Sequence, residues 1–382
     1  MLAPPACRHR GDPTGAVELC STCSGKVPVP LVGCARNGTC HAGSYSVPGA
    51  VACARCPDAV TEILPGLVDP FTGPWRHPGT WCRDSAEVSR HAAAVRALAA
   101  GPIPDPPAMA GAGVIACGGG RYWPGILVLV RMLRETGCTL PVQVWYRGSC
   151  EAVNPGDVDG LGVELVDADA RAAARGDNRV PRGRAAIGGW TAKLYALAHT
   201  DLAEVIFLDA DAYPVIDPSP LLELARLHGF SAWDEPKTDN IRWPLVGYTQ
   251  RPGDPPPSIQ GGQFAIDRRA CWRELVVALW VCLHADYYWP EGRGAEWPLF
   301  GDQDAWRLAF ALTGFRPHIL GPSELVRGWG YLCRVAGRVA IEHRCFAKLT
   351  PSGTPGEARS LAHYAAYLGT DRNRASHRGS TR

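Results

Sequence analysis

The run Val205-Ile206-Phe207-Leu208 constrains this chain more than any other feature. Its β-branched and aromatic residues favour extended backbone. Successive side chains of a strand point to opposite faces, so a strand apolar at every position must be covered on both. Such a strand belongs in the middle of a sheet with helices above and below. It ends in Asp209-Ala210-Asp211. Two carboxylates at i and i+2 past a strand can face one crevice, and ligands of open α/β sheets bind at the carboxyl ends of strands.

The flanking pattern agrees. Val114-Ile115-Ala116-Cys117 is a short apolar strand running into Gly118-Gly119-Gly120. Pro124 can open a helix whose apolar face is Ile126, Leu127, Val130 and Leu133. Further strands are expected over Val142 to Trp145 and Gly162 to Val166, and a helix over Trp190 to Leu197. Ser219 and Pro220 are expected to open another helix as N-cap and first residue. Strands alternating with helices predict a mostly parallel α/β sheet. Around it the chain divides into a cysteine-rich module over 1–60 and a connecting segment over 61–112. That segment holds a helix over 85–100, with Ser85 as N-cap, and a Pro/Gly linker. The main domain spans 113–368 and a polar, Arg-rich, disordered tail 369–382. Hydrophobic residues make up 46% and charged residues 20%, which supplies a sizeable core.

The formal net charge of +2 argues against broad nucleic-acid binding. No stretch approaches the ~20 apolar residues of a membrane span, and the first residues lack the apolar core of a signal peptide. A cytoplasmic protein with no transmembrane segment is expected.

Hard oxygen ligands in a nucleotide site suit Mn²⁺ or Mg²⁺, with diphosphate oxygens completing the shell. Four Asp-x-Asp triplets occur. Asp157-Val158-Asp159 lies in a Pro/Gly-rich loop and reads as solvated. Asp167-Ala168-Asp169 follows a strand and is a rival for the metal. Asp302-Gln303-Asp304 stands before a helical pattern. Asp209-Ala210-Asp211 is singled out by the buried strand before it. The chain has only four lysines, Lys26, Lys193, Lys237 and Lys348, against a heavy use of arginine.

Seven of the fifteen cysteines fall in the first 56 residues: Cys7, Cys20, Cys23, Cys34, Cys40, Cys53 and Cys56. Cys20-x-x-Cys23 and Cys53-x-x-Cys56 have the spacing of zinc knuckles. Cys34 and Cys40 could complete a site with Cys53 and Cys56, and Cys7 could join Cys20 and Cys23 with His9 or His41. About two Zn²⁺ are expected by ligand count, with structural disulfides, an iron–sulfur cluster or free thiols as alternatives.

From Ala116 to about Lys348 the sequence resembles GT-A glycosyltransferases of the glycogenin type, and more closely fungal-type α-mannosyltransferases. The matching pieces are Ala116-Cys117-Gly118-Gly119-Gly120-Arg121-Tyr122, Gly189-Trp190-x-x-Lys193 and the stretch from Phe207 through Asp209-Ala210-Asp211 to Leu221. Gly262-Gln263-Phe264-Ala265-Ile266-Asp267 and Gly301-Asp302-Gln303-Asp304 complete the set. The resemblance implies an α/β, Rossmann-like GT-A domain that transfers a hexose, such as mannose, from a nucleotide-sugar donor with retention. It implies that Tyr122 stacks on the base near Gly120, and that Asp209, Asp211 and His343 hold the metal. Lys193 and Lys348 would meet the donor phosphates, Gly261 and Gly262 would let backbone approach the sugar, and Asp302 and Gln303 would flank the transferred sugar. The acceptor, whether glycan, lipid or protein, is not legible. Two departures stand out. Gln260 occupies a position where the glycogenin type has Asn, and Lys348 follows His343 by five residues without an intervening glycine. The competing readings are a zinc-dependent binding protein with an inactive transferase-like domain, and a sugar nucleotidyltransferase.

Overall fold

The computed structural model describes residues 85–175, 190–235, 240–248, 251–289, 297–346 and 348, and a short antiparallel ladder of Glu18–Leu19 with Pro28–Val29. The seven N-terminal cysteines, residues 61–84 and the expected tail lie outside the described residues.

Helix α1 (Ser85–Ala100) precedes β1 (Ala112–Cys117), α2 (Trp123–Glu135), β2 (Val142–Tyr146) and β3 (Val163–Asp167). Next come α3 (Ala168–Ala174), α4 (Trp190–His199), β4 (Glu204–Leu208), β5 (Ala212–Pro214) and α5 (Leu221–His228). The remainder is β6 (Phe230–Asp234), β7 (Ile259–Asp267), α6 (Trp272–Leu283), α7 (Ala285–Tyr288) and α8 (Gly301–Thr313), then β8 (His318–Pro322), β9 (Glu324–Val326), β10 (Gly330–Val335) and β11 (Arg338–His343).

The central sheet has seven strands in the order β8-β6-β7-β4-β1-β2-β3. All neighbours are parallel except β7, which runs antiparallel between β4 and β6. This is the mixed α/β architecture with a mostly parallel sheet that the strand–helix alternation predicts. A second, antiparallel sheet of four strands, β9-β10-β11-β5, joins the first just past the acidic triplet.

Strand β4 is buried on both faces, as its composition demands. Val205 and Phe207 enter one core with Leu194 and Leu197 of α4, Val276 and Leu279 of α6, and Trp306 of α8. Ile206 and Leu208 enter the other with Leu127 and Val130 of α2 and Leu222 of α5. Each such side chain contributes roughly 1.5–3 kcal/mol when fully buried. Helix α1 packs Val95 and Leu98 into the first core, so it shares the main domain's packing.

Two local expectations are corrected. Ser219 does not cap α5 through its hydroxyl. Its backbone N–H (2.9 Å) and its Oγ (2.7 Å) both donate to Asp217 Oδ1, so the aspartate organises the entry to the helix. Asp157 is not simply solvated: its carboxylate accepts from the Trp123 indole at 2.9 Å and from Asn154 at 2.9 Å. This pins the loop to the start of α2.

Candidate active site

The chain builds β2 and β3 to one side of β1, then crosses to place β4 on the other. Strands β1 and β4 therefore flank the point where strand order reverses, and the crevice at their carboxyl ends is the favoured ligand position of such a sheet. A cleft of about 150 Å³ opens there, with Gly118 on the β1 side and Asp209, Ala210 and Asp211 on the β4 side.

Backbone bonds fix the acidic triplet. The Asp209 N–H donates to the Gly262 carbonyl at 2.7 Å, and the Asp209 carbonyl accepts from Ala212 at 2.9 Å, closing a tight turn. The Asp211 carbonyl accepts from Arg344 N–H at 2.8 Å, which draws in the residue after β11. That contact brings His343, the last residue of β11, alongside: its Nε2 lies 3.5 Å from Asp211 Oδ1. One ligand atom each from Asp209, Asp211 and His343 lie within 4.8 Å of one another. Two carboxylates and an imidazole at this spacing could hold a divalent cation.

The backbone is shaped around this trio. A Cβ on Gly262 would lie 2.5 Å from His343 Cε1, 2.8 Å from its Nε2 and 3.0 Å from Asp209 Oδ2. Only glycine leaves room for the imidazole and the carboxylate together. On Gly261 a Cβ would stand 3.0 Å from Asp302 Oδ2 and 3.1 Å from Gln303 Cβ.

Two ammonium groups sit on the carboxylates. Lys193 of α4 places Nζ 2.8 Å from Asp209 Oδ2 and 3.4 Å from Asp302 Oδ1. Burial alone would lower its pKa, but Asp209 and Asp302 overcome this and hold it above the usual lysine range. Lys348 pairs with Asp211 Oδ2. Burial works against the charged Asp211, yet His343 and Lys348 outweigh it and hold this carboxyl below its usual range. Asp302 is pushed the other way, to about 6, by burial first, with Lys193 opposing and Asp209 adding. On the cleft floor, burial and then Asp209 raise the Cys117 thiol well above its usual range, which keeps it protonated and unsuited to nucleophilic work.

The structure thus brings Lys193, Asp209, Asp211, Gly261, Gly262, Asp302, Gln303, His343 and Lys348 to one place. Tyr122 lines the same cleft, with Arg121 over its ring at 4.6 Å and Lys348 Nζ 6.0 Å from its centroid. Gly120 lies just outside, its N–H bonded to the Ala152 carbonyl at 2.8 Å. Gly118 is the glycine that meets the cleft: its φ is +150°, and a Cβ there would lie 3.2 Å from Tyr122.

Sequence reasoning missed Trp145, Arg147, Glu151 and Trp190 as lining residues. The first three follow from the end of β2, which faces the crevice by the same rule as β1. Trp190 opens α4 and belongs to an aromatic group with Trp289 (5.7 Å), Trp297 (6.2 Å) and Phe300 (6.2 Å). Gly301, at φ +74°, passes beneath it; a Cβ there would sit 3.3 Å from the Trp190 ring.

The rival triplet is explained locally. Asp167 Oδ1 accepts from Ala170 N–H at 3.0 Å and is the N-cap of α3. Asp167→Asn, which keeps a capping oxygen, is expected to leave metal affinity unchanged, whereas Asp167→Ala costs about 1 kcal/mol of stability. Metal titration and thermal melts of both variants check this.

A family model described as a putative mannosyltransferase matches residues 111–240, from the start of β1 to beyond β6. No curated protein matches the chain. Among solved structures, the chain is similar to a galactosyltransferase, LgtC, in complex with donor and acceptor sugar analogues. The identity is 14%, covering 67% of this chain and 95% of that one, with a TM-score of 0.43. It is also similar to mouse xyloside xylosyltransferase 1, at 15% identity over 63% of this chain and 100% of that one, TM-score 0.38. A third likeness is to 4-diphosphocytidyl-2C-methyl-D-erythritol synthase from Anaerococcus prevotii, at 9% identity over 68% and 98%, TM-score 0.35.

Proposed function

We propose that this chain is a metal-dependent glycosyltransferase that moves a hexose from a nucleotide-sugar donor. The observation that carries the reading is the convergence of Asp209, Asp211 and His343, from two distant segments, between two lysines at the strand-order reversal. A divalent ion bound there would supply a Lewis acid for the departing diphosphate. Lys348 is placed to leave Asp211 and meet a diphosphate oxygen as a compact point charge. Lys193 bridges Asp209 and Asp302, and its charge eases the approach of the half-buried Asp209 and the buried Asp302 to one sugar. Tyr122 offers an aromatic face to the base where it lines the cleft beside Lys348. Mannose as the transferred sugar is supported by the description of the matching family. Thermal-shift titration with a panel of nucleotide sugars, with Mn²⁺ and with EDTA, tests the reading. A metal-dependent upward shift with one donor is expected; no donor shifting the melt under either condition contradicts it.

Retention of the anomeric configuration belongs to the same proposal. A retaining transferase needs no strong base opposite the leaving group, because the leaving diphosphate can accept the acceptor's proton. Gln303, in the first turn of α8 and against Gly261, can offer a carbonyl oxygen to developing positive charge at the anomeric carbon. Gln303→Ala should lower kcat on the order of 10²-fold with little change in donor affinity, since the contact strengthens only in the transition state. NMR of the first-formed product checks the stereochemistry: an α-linked product from an α-linked donor is expected, and a β-linked one refutes retention.

For the N-terminal module, the proposal of about two Zn²⁺ rests on the spacing of its seven cysteines. Elemental analysis of the purified chain should find about two zinc per chain. Absence of zinc and iron, with these thiols free to titrate, contradicts it.

A further inference from the structure

A histidine ligand must present a lone pair, and which ring nitrogen does so is set by what the other one meets. We infer that Gln260 is a positioning residue that fixes the proton of His343 on Nδ1 and so reserves Nε2 for the metal; its functional meaning rests on the metal-site reading above.

The argument starts from an atom whose role is not negotiable. The main-chain carbonyl of Asp234, at the end of β6, can only accept. Ser323 Oγ lies 2.8 Å from it and must donate its single hydrogen there, while the Ser323 N–H reaches the same oxygen at 3.0 Å. With that hydrogen committed, Ser323 Oγ can only accept along its 3.2 Å contact with the Gln260 amide, so the amide atom there is Nε2. The amide orientation is thereby set, and Oε1 is the atom 3.2 Å from His343 Nδ1. An amide oxygen accepts, so Nδ1 carries the hydrogen. The remaining nitrogen, Nε2, stands 3.5 Å from Asp211 Oδ1; a proton there can serve the carboxylate in the metal-free site, and it is this nitrogen that a cation would take in the proton's place.

Gln260 and Ser323 are each only 2% exposed, so water cannot readily replace a lost partner. The relay joins the end of β6, the β8–β9 junction, β7 and the end of β11, which are far apart in sequence. Gln260 also stands two residues before Gly262, whose missing Cβ gives the imidazole its space. Strand β7 thus both makes room for the ring and sets its proton.

The test combines ¹⁵N NMR of the histidine ring with Mn²⁺ titration by electron paramagnetic resonance. Spectra of the metal-free native protein should show His343 protonated at Nδ1. Gln260→Leu should shift the proton toward Nε2 and weaken Mn²⁺ binding by about 10–100-fold. Gln260→Glu, which keeps an acceptor for Nδ1–H, should restore the Nδ1–H tautomer. Should the leucine variant not fold, Ser323→Ala removes the anchor instead and should mix the two tautomers. A native ring without a proton on Nδ1, or variants that retain both the native tautomer and the native Mn²⁺ affinity, overturns the inference. Native protein that shows Nδ1–H but binds no Mn²⁺ supports the relay and contradicts the metal reading instead.

Discussion

Asp211→Asn is expected to lower kcat on the order of 10³-fold or more, equivalent to about 4 kcal/mol of transition-state stabilisation. The carboxylate faces His343 Nε2 and Lys348 at once, and it is one of three ligand atoms drawn together at the cleft. Asparagine keeps the shape but removes the charge, so the ion that would offset the leaving diphosphate loses a hard anionic ligand. The fold should survive. The Asp211 main-chain carbonyl keeps its bond from Arg344, and the β5–β11 pairing beside it does not involve the side chain. Circular dichroism together with turnover distinguishes lost chemistry from lost structure. Near-native activity of this variant in EDTA contradicts the assignment.

Gly262→Ala is the second large effect. Alanine adds one carbon, and no backbone conformation forbids it, since Gly262 is not among the positive-φ glycines. The difficulty is contact alone: the new carbon would lie 2.5 Å from His343 Cε1 and 3.0 Å from Asp209 Oδ2. The strand cannot retreat easily. Its carbonyl accepts from Asp209 N–H, and Gln263 beside it is in register with Leu208 of β4. His343 is held in turn by Gln260. The metal trio must therefore open, and Mn²⁺ affinity should fall by about 100-fold. Isothermal titration of Mn²⁺ into the variant measures this; native affinity would show that the trio does not bind the ion as a unit.

Much of the sheet could be read from the chain because its signals are local. An apolar run of β-branched and aromatic residues marks β4 without any knowledge of its neighbours, and the Gly-rich turn after Cys117 marks the end of β1. The α5 entry differs for an equally local reason: Ser219 turns its N–H and Oγ back to Asp217, two residues earlier, and the helix starts after Pro220 with no side-chain cap. The four-stranded antiparallel sheet was not legible at all. Strand β5 is three residues long and gains its identity only by pairing with β11, well over a hundred residues later.

The candidate site divides in the same way. Asp209 and Asp211 are placed by the strand before them. His343, Lys348, Asp302 and Gln303 were located through resemblance, because no local pattern ties them to β4. The Gln260–Ser323 relay left no trace beyond a glutamine where asparagine was expected, since its meaning depends on an accepting carbonyl at the end of β6. Two glycines inside a buried strand, Gly261 and Gly262, were a readable sign that something approaches the backbone closely, though not of what.

The most direct test of metal-dependent sugar transfer in this cleft is release of nucleoside diphosphate from a panel of nucleotide sugars by the native chain. The reaction is followed with Mn²⁺, with EDTA, and with Mn²⁺ restored after EDTA. One donor should yield nucleoside diphosphate with Mn²⁺, none with EDTA, and full release again on restoration, while Asp211→Asn stays silent throughout. Release that persists undiminished in EDTA, or equal release by the Asp211→Asn chain, would contradict the account.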